Sequence, residues 1–234
     1  MTNIPKIVHQ IWIGPNRRPD MWMDTVRKFS SDFGYEYKLW SELEIDSFPM
    51  VNRIQYDNMQ IMCGKADIVR YEILNMYGGI YIDADSVIIN PKKLDELISN
   101  IHTECAVAHS SDKNFIANGV ILSVPQSFMM MESIKRLPSR NFSVHPCFST
   151  GPDLITDIWN DNKDISITIF PHEVFYPGGW HITRSLNQHE KMSFPEESVM
   201  FQYGYTTNYF QKTINDLYNP KPNITKIVRN KFSM

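Results

Sequence analysis

The most informative segment of the chain is Gly78-Gly79-Ile80-Tyr81-Ile82-Asp83-Ala84-Asp85. A helix is predicted from about Met59 to Tyr77, and the Gly-Gly pair ends it because glycine readily adopts the left-handed conformation that closes a helix. The β-rich tripeptide 80–82 then predicts a short strand. Since open α/β sheets bind ligands at the carboxyl ends of their strands, Asp83 and Asp85 are expected to lie at a ligand site.

The two carboxylates have the chemistry of a divalent-cation site. The alternation of a strand points Asp83 and Asp85 the same way, so a turn can bring both to one ion. Hard oxygen ligands suit Mn²⁺ or Mg²⁺, which bridge a few carboxylates to substrate phosphates. An isolated Asp-x-Asp often occurs in turns and caps. Its position after a helix, a Gly-Gly pair and a strand favours a metal site at Asp83 and Asp85.

The preceding helix carries Asp67 and Arg70, which are three residues apart and therefore share a face. Taken alone, they predict an ordinary ion pair on a solvated helix surface. The far end of the same helix delivers the carboxylates, however, and a diphosphate beside a metal needs a cation such as arginine. Arg70 is therefore a candidate ligand of a diphosphate, with the surface pair as the alternative.

On both sides of this segment, the chain alternates between strand and helix patterns. Strands are predicted at 6–13 and 35–40, a helix at 18–29, and a capping box at Ser41-x-x-Glu44. Further strands are expected at 105–109, 119–123 and 166–170, and helices at 126–137 and 153–160. After Pro171 the periodicity is lost, which indicates a loop-rich C-terminal part. The β-α-β-α order favours a layered α/β fold with a mostly parallel central sheet.

Composition restricts the class of protein. The chain has 234 residues, of which 42% are hydrophobic and 12% aromatic, and its formal net charge is −3. These values are typical of a folded globular protein and argue against a broad nucleic-acid surface. No apolar run approaches the roughly 18 residues of a transmembrane segment, and no signal peptide is evident. The three cysteines form no Cys-x-x-Cys pair, which suits a reducing compartment.

Three ordered segments carry a family resemblance: Ile4–Gly14, Ala66–Tyr71 and Gly78–Asp85. Together they resemble the Asp-x-Asp sugar transferases of the glycosyltransferase family 32 type. That family includes the yeast-type initiating α-1,6-mannosyltransferase, and its catalytic core is similar to that of the clostridial glucosylating toxins. The resemblance covers residues 4–95 well and continues more loosely around Asn118, Thr150–Pro152 and Phe175–Pro177.

The resemblance implies a GT-A, Rossmann-like fold in a single domain over residues 1–234. Residues 1–125 would form the nucleotide-sugar-binding half, and residues 126–234 the acceptor-side half with a C-terminal lid. The implied activity is a metal-dependent retaining glycosyltransferase. It would use Mn²⁺ or Mg²⁺ and move a sugar from a UDP- or GDP-sugar to a glycan, a lipid-linked acceptor or another hydroxyl.

The resemblance also implies roles for residues at the nucleotide. Ile11 and Trp12 would line the base pocket, with Trp12 stacking on the base. Asp67 would contact hydroxyls of the ribose or the sugar, and Arg70 would lie near the donor sugar and the diphosphate. Arg70 would thus act with the carboxylates in catalysis.

At the metal, Asp83 would contact ribose and ion, and Asp85 would be the principal ligand. Asn118 would reach the donor sugar, although before Gly119 it could equally be a turn residue. One departure from the family pattern is Gln202, which stands where a histidine is expected. A neutral amide can donate to a diphosphate or offer its carbonyl to a cation, but it is a weaker ligand, so the third metal ligand stays open.

Several alternatives stay open at this stage. The same carboxylates would serve a nucleotide-sugar hydrolase or a phosphotransferase, and Gln202 fits a catalytically inactive carbohydrate-binding protein. His9 is expected to be a hydrogen-bonded core histidine. Asp153 is expected in the first turn of a helix or at an acceptor hydroxyl, and Gly178–His181 in a packed loop or a sugar-stacking platform. Because the family's eukaryotic members usually carry a membrane anchor, a bacterial or viral enzyme is predicted, either free in the cytoplasm or peripheral to a membrane.

Overall fold

The computed structural model describes residues 3–111, 115–178 and 185–218. The helices and strands of these residues follow in the order β1 (Ile7–Ile11), α1 (Asp20–Phe33), β2 (Glu36–Trp40), α2 (Glu42–Asp46), α3 (Arg53–Asn58), α4 (Met62–Tyr77), β3 (Gly79–Ile82), β4 (Ser86–Ile88), α5 (Pro91–Ser99), β5 (Cys105–His109), β6 (Ile116–Ser123), α6 (Phe128–Arg136), α7 (Pro146–Ser149), α8 (Pro152–Asp161), β7 (Ile167–Phe170), β8 (Met200–Gln202) and α9 (Phe210–Tyr218). Short 3-10 turns lie at Leu137–Ser139, His172–Val174 and Gln188–Lys191.

The central sheet has six strands in the order β2-β1-β3-β6-β5-β7. β1 runs parallel to β2 and β3, and β5 runs parallel to β7, whereas β6 is antiparallel to both of its neighbours. Helices cover both faces, with α4, α6 and α8 contributing to one apolar cluster and α1 and α5 to the other. The predicted α/β fold with a mostly parallel sheet is confirmed.

The Gly-Gly turn between α4 and β3 is fixed by sterics and by a buried histidine. Gly78 and Gly79 have φ angles of 61° and 96°, and a Cβ atom on Gly79 would lie 2.5 Å from the carbonyl oxygen of Ile7. His9 Nε2 donates to the Gly78 carbonyl over 2.9 Å, and its Nδ1 accepts from the Trp40 indole over 3.2 Å. The predictions of a glycine helix stop and of a hydrogen-bonded core histidine are both confirmed.

The helix predicted from about Met59 to Tyr77 is confirmed as α4, which begins three residues later, at Met62. Met59 has extended backbone (φ −70°, ψ 119°) and separates α3 from α4. The middle of α4 is buried on all sides, and even Glu72 is buried there. The Glu72 carboxylate accepts hydrogen bonds from the backbone and the side chain of Asn52 over 2.7 and 3.1 Å. Helix α4 therefore runs through the interior of the protein and is covered on several sides.

Strand β6 starts earlier than predicted and contains a wide irregularity. Its pairing with β5 shifts from Ala106↔Leu122 to Ala108↔Ala117, so residues 118–121 of β6 lie opposite the single residue Val107. Asn118 lies in this segment and is 7% exposed. The turn alternative for Asn118 is therefore wrong. Such bulges redirect side chains and are common beside active sites.

The C-terminal part is loop-rich, as predicted, but two of its elements escaped the sequence pattern. β8 pairs with β4 in a second small sheet, in which Gln202 lies opposite Ser86. Helix α9 follows, and its Phe210 joins Trp22 and Tyr203 in a third apolar cluster. These contacts bring the segment after β8 next to Asp85. Across the ranges that the structure describes, no helix is long and apolar enough to cross a membrane.

Candidate active site

Asp83 and Asp85 converge just past the end of β3. The Gln202 amide nitrogen donates to Asp83 Oδ2 over 2.9 Å and to Asp85 Oδ1 over 3.2 Å, so both carboxylates face one point. The backbone N–H of Tyr205 donates to Asp85 Oδ2 over 2.6 Å. On the other side, a Cβ atom on Gly119 would lie 2.7 Å from Asp83 Oδ2. Glycine at this position therefore leaves room for the carboxylate.

Arg70 is a buried member of the same site and not part of a surface ion pair. It is 4% exposed and Asp67 is 5% exposed, so the solvated-face alternative is wrong. Its guanidinium lies 3.0 Å from Asp67 Oδ1 and 3.2 Å from Asp83 Oδ1, and it donates to the Asn118 carbonyl over 2.5 Å. Arg70 thus ties α4 to β3 and β6 and places a fixed positive charge beside the carboxylate pair.

Asp67 is held by groups from two distant segments. Its Oδ1 accepts from Asn118 Nδ2 and its Oδ2 accepts from Thr150 Oγ1, both over 2.8 Å. Tyr71 links these segments, because its hydroxyl donates to the Thr150 carbonyl over 2.7 Å and accepts from Asn118 over 3.0 Å. Burial raises the pKa of Asp67 to about 6, and Arg70 opposes that rise. In this arrangement Asp67 positions Arg70, Asn118 and Thr150.

A pocket opens between the end of β1, the first turns of α4 and the segment after β8. Its lining residues are Ile11, Trp12, Ile13, Asn16, Met62, Cys63, Ala66, Arg70, Tyr81, Asp83, Ala84, Asp85, Tyr205 and Thr206. The Trp12 ring meets the Tyr205 ring edge-on, with centroids 5.1 Å apart. One pocket therefore brings together five of the predicted site residues: Ile11, Trp12, Arg70, Asp83 and Asp85.

The electrostatics of the carboxylate pair favour a cation. Burial, followed by the charge of Asp83, raises the pKa of Asp85 to about 6, while its hydrogen bonds with Tyr205 and Gln202 oppose that rise. A divalent ion would offset the repulsion between the two groups. The Gln202 Oε1 atom is buried without a hydrogen-bond partner, and rotation of the amide would present this oxygen in place of the nitrogen. Two carboxylates and one amide oxygen form a hard donor set that fits Mg²⁺ or Mn²⁺.

A wider protein cage for a metal is not evident. No cluster of three or more His, Cys, Asp or Glu side chains suited to a metal ion occurs in residues 3–111, 115–178 or 185–218. Magnesium and manganese sites in proteins often use one or two carboxylates and complete their shell with substrate phosphates and water. The residues present therefore fit an ion that is shared with a bound diphosphate.

Some residues of the site were missed from the sequence. Tyr81 donates from its hydroxyl to Asp83 Oδ1 over 2.8 Å, and its ring lies under Arg70 at 4.3 Å. Strand alternation places residues 81 and 83 on one face, so this contact had a sequence signal. For Tyr205 and Thr150 no local spacing predicted the contacts, because both residues reach the site from distant segments. The roles of the predicted residues toward a nucleotide sugar stay predictions.

Two further sequence predictions concern Asp153 and the Gly178–His181 segment. Asp153 lies in the first turn of α8, as predicted, and accepts from the Arg140 guanidinium over 2.6 Å. Its second suggested role, at an acceptor hydroxyl, stays a prediction. Of the Gly178–His181 segment, residues 179–181 lie outside the described residues.

The α/β fold of this chain, predicted above as GT-A, is also the fold of a solved glycosyltransferase. Residues 19–104 match the sequence profile of the family described as the glycosyltransferase sugar-binding region containing the DXD motif. This match contains two of the three motifs, Ala66–Tyr71 and Gly78–Asp85, and confirms the family resemblance. A solved glycosyltransferase involved in glycosylation of the major capsid of PBCV-1 shows the same fold, with a TM-score of 0.55 and 12% identity, over 91% of this chain and 100% of that chain.

Curated relatives point to the same class. Inositol phosphoceramide mannosyltransferase 3 of Schizosaccharomyces pombe is 33% identical over 168 residues, which are 67% of this chain and 45% of the relative. An uncharacterized glycosyltransferase of Acanthamoeba polyphaga mimivirus is 29% identical over 191 residues, 74% of this chain and 73% of the relative. The chain spans only 43% to 50% of the length of its yeast relatives. The names of these relatives support the predicted class of enzyme, a sugar transferase.

Proposed function

We propose that this chain is a metal-dependent, retaining glycosyltransferase that moves a sugar from a UDP- or GDP-sugar to a hydroxyl acceptor. The observation that carries the proposal is the convergence of Asp83, Asp85 and Arg70 in one pocket that also contains Trp12. Such a pocket offers an aromatic surface for a base and, next to it, charges of both signs for a diphosphate with its cation. The proposal rests on this geometry together with the family match.

Different residues of the pocket would bind the base and the diphosphate of the donor. Trp12 and Ile11 would hold the base, and Arg70 would donate to the diphosphate while Asp67 and Asp83 keep its guanidinium in place. Because the guanidinium is fixed before the reaction, it requires little reorganisation as negative charge develops on the leaving group. Arg70 would therefore stabilise the departing nucleoside diphosphate.

Asp83 and Asp85 would hold the divalent cation, and the Gln202 amide oxygen, or a diphosphate contact from the same amide, would complete its surroundings. When bound, the cation supplies Lewis-acid stabilisation of the leaving diphosphate. Tyr81 and Tyr205 would orient the two carboxylates toward it through their hydrogen bonds. An Asp85→Asn variant keeps the shape of the side chain and loses the charge, so it isolates this role.

Retention of configuration rests on the family resemblance and would be read from the anomeric proton of the product. For the donor and the acceptor, the names of the yeast relatives make a mannosyl donor and an inositol-containing lipid the first compounds to test. A glycan acceptor is the second choice. The predicted cytoplasmic location stays a prediction.

The decisive experiment is calorimetric titration of the protein with UDP and GDP, with and without Mn²⁺. We expect one nucleotide to bind, with affinity that rises at least about tenfold when Mn²⁺ is present, because the ion bridges protein and diphosphate. Asp85→Asn should abolish this metal dependence, whereas Asp164→Asn, an exposed aspartate outside the pocket, should not. Failure of both nucleotides to bind under any condition would refute the proposal.

The hydrolase alternative uses the same groups and differs only in the acceptor. With a donor identified by the titration, product analysis separates the two reactions. Transfer of the sugar to an added hydroxyl compound supports the transferase. Release of free sugar at a rate that no added acceptor changes would favour the hydrolase.

A further inference from the structure

The amide group of Gln202 lies between the two carboxylates of the site. Its Nε2 atom donates to Asp83 Oδ2 over 2.9 Å and to Asp85 Oδ1 over 3.2 Å. An amide nitrogen carries two hydrogens, so these two bonds use its whole capacity as a donor. The amide therefore bridges Asp83 and Asp85, and its N–H groups offset part of the repulsion between the two charges.

The bridge uses one oxygen of each carboxylate, and other groups hold the second oxygen of each. Asp83 Oδ1 accepts from the Tyr81 hydroxyl over 2.8 Å and lies 3.2 Å from the Arg70 guanidinium. Asp85 Oδ2 accepts from the backbone N–H of Tyr205 over 2.6 Å. Because the second oxygens are held in this way, a cation that joins the two carboxylates would need the same two oxygens that the amide now binds.

The oxygen of the same amide has the opposite environment. Gln202 Oε1 is buried, with no hydrogen-bond partner among the described residues. If rotation of the amide exchanged its nitrogen and its oxygen, the two carboxylates would repel that oxygen, whereas a cation between them would attract it. The observed orientation is therefore the one that the two carboxylates alone favour, and a bound cation would favour the reverse.

The backbone around the Gln202 amide is held in place. In β8, Gln202 lies opposite Ser86 of β4, so strand pairing fixes the position of its backbone. A Cβ atom on Gly119 would lie 3.3 Å from both Nε2 and Oε1 of Gln202, which shows how closely the amide packs against β6. A cation would therefore displace the amide group itself and leave the strand that carries it in place.

Competition with the amide lowers the affinity of the site for a free cation. Hydrogen bonds from an N–H group to a carboxylate are stronger than those between neutral groups, and the ion has to break two of them. The phosphate oxygens of a bound diphosphate would add ligands to those that the protein supplies. The ion alone should therefore bind weakly, and the ion with a diphosphate should bind well.

We propose that the Gln202 amide takes the place of the divalent cation between Asp83 and Asp85 in the free protein, and that the cation displaces it only together with a diphosphate. This inference rests on the proposed transferase function for the identity of the anion. Gln202 is then a positioning residue, because it holds the two carboxylates together until the ion arrives. The competition between amide and ion is a property of this chain's own residues and can be measured without any nucleotide.

The first test measures the binding of Mn²⁺ alone to the full chain by electron paramagnetic resonance, in which the free ion gives the signal. Gln202→Met keeps the length of the side chain and removes both its donor and its acceptor. We expect this variant to bind Mn²⁺ at least about tenfold more tightly than wild type, because the ion no longer competes with an amide. Gln60→Met is the matched control and should bind Mn²⁺ as wild type does, since Gln60 is exposed and is not among the residues that line the pocket.

The second test follows the amide in the wild-type chain, so it does not depend on the folding of a variant. The nitrogen-15 NMR signal of the Gln202 side chain is recorded with Mg²⁺ alone, with Mg²⁺ and whichever of UDP or GDP binds, and with that nucleotide alone. We expect Mg²⁺ alone, in the low millimolar range, to leave the signal unchanged. Mg²⁺ together with the nucleotide should shift it, because the N–H groups then leave the carboxylates.

The proposal is overturned if Gln202→Met binds Mn²⁺ no more tightly than wild type. It is also overturned if Mg²⁺ alone shifts the wild-type amide signal as far as Mg²⁺ with nucleotide does, or if the signal stays unchanged in the complex with both. A different result separates this inference from the function on which it rests. If neither nucleotide binds but Gln202→Met still binds Mn²⁺ more tightly than wild type, the amide competes with the ion as proposed and the transferase function is refuted.

Discussion

Lowering the pH should weaken this fold through one buried imidazole, that of His9. The ring has no exposed surface and lies between Trp40, which donates to Nδ1, and the Gly78 carbonyl, which accepts from Nε2. The neutral Nε2–H tautomer satisfies both contacts. A second proton on Nδ1 would point an N–H at the Trp40 N–H, so protonation breaks the link between β1 and the glycine turn that delivers Asp83.

The size of the effect follows from the pKa shift. Burial lowers the pKa of His9 from 6.5 to about 4, and the hydrogen bond to Gly78 acts in the opposite direction. Between these values the unfolded chain binds a proton that the native chain does not, so stability falls as the pH falls. A shift of about 2.5 units at about 1.4 kcal/mol each predicts a loss of about 3 kcal/mol, starting near pH 6.5 and complete below pH 4.

The assay is urea unfolding at a series of pH values, comparing wild type with His9→Gln, whose amide can donate to Gly78 without titrating. The comparison is needed because Asp67 and Asp85 have raised pKa values of about 6 and add stability as the pH falls. We subtract the unfolding free energy of His9→Gln from that of wild type at each pH. This difference should fall by about 3 kcal/mol as the pH is lowered from about 7.5 to 4.

His102→Gln, which removes an exposed imidazole, is the control for the loss of a histidine. The reasoning is refuted if the wild-type and His9→Gln curves stay parallel over this range. It is equally refuted if the nitrogen-15 NMR signals of the His9 ring titrate near pH 6.5.

Three further perturbations test the site and the fold. Gly119→Ala would place a methyl 2.7 Å from Asp83 Oδ2 and displace that carboxylate. Calorimetry should then show Mn²⁺-dependent nucleotide binding at least about tenfold weaker. Unchanged affinity would contradict the steric argument. Trp12→Leu should weaken binding of the nucleotide by about 1 kcal/mol or more through the lost stacking surface, with Trp12→Phe intermediate. Ser41→Ala removes a capping-box side chain at α2 and should lower the unfolding free energy by about 1 kcal/mol in urea titrations, while Ser139→Ala, an exposed serine outside any capping box, should change it little.

Several features of the fold could be predicted from the sequence because they depend on residues that are close together in the chain. The glycine stop after α4 follows from the conformational range of glycine, and the capping box at Ser41 and Glu44 follows from their spacing. The Asp-x-Asp after β3 was placed at the edge of the sheet by strand order alone. The short helix α3, which ends just before Met59, was not predicted, because its six residues are too few to show a helical period.

Local sequence patterns were enough to predict the α/β class, the strand that carries Asp83 and Asp85, and the proximity of Asp67 to Arg70 on one helix. The burial of this ion pair became visible only in the folded chain, as did the contacts of Asp67 with Asn118 and Thr150, which are 51 and 83 residues away. The tertiary structure also placed Gln202 and Tyr205, 117 and 120 residues away, on Asp85. The physical reason is that spacing along one element fixes which side chains share a face, whereas packing between distant elements fixes what that face meets.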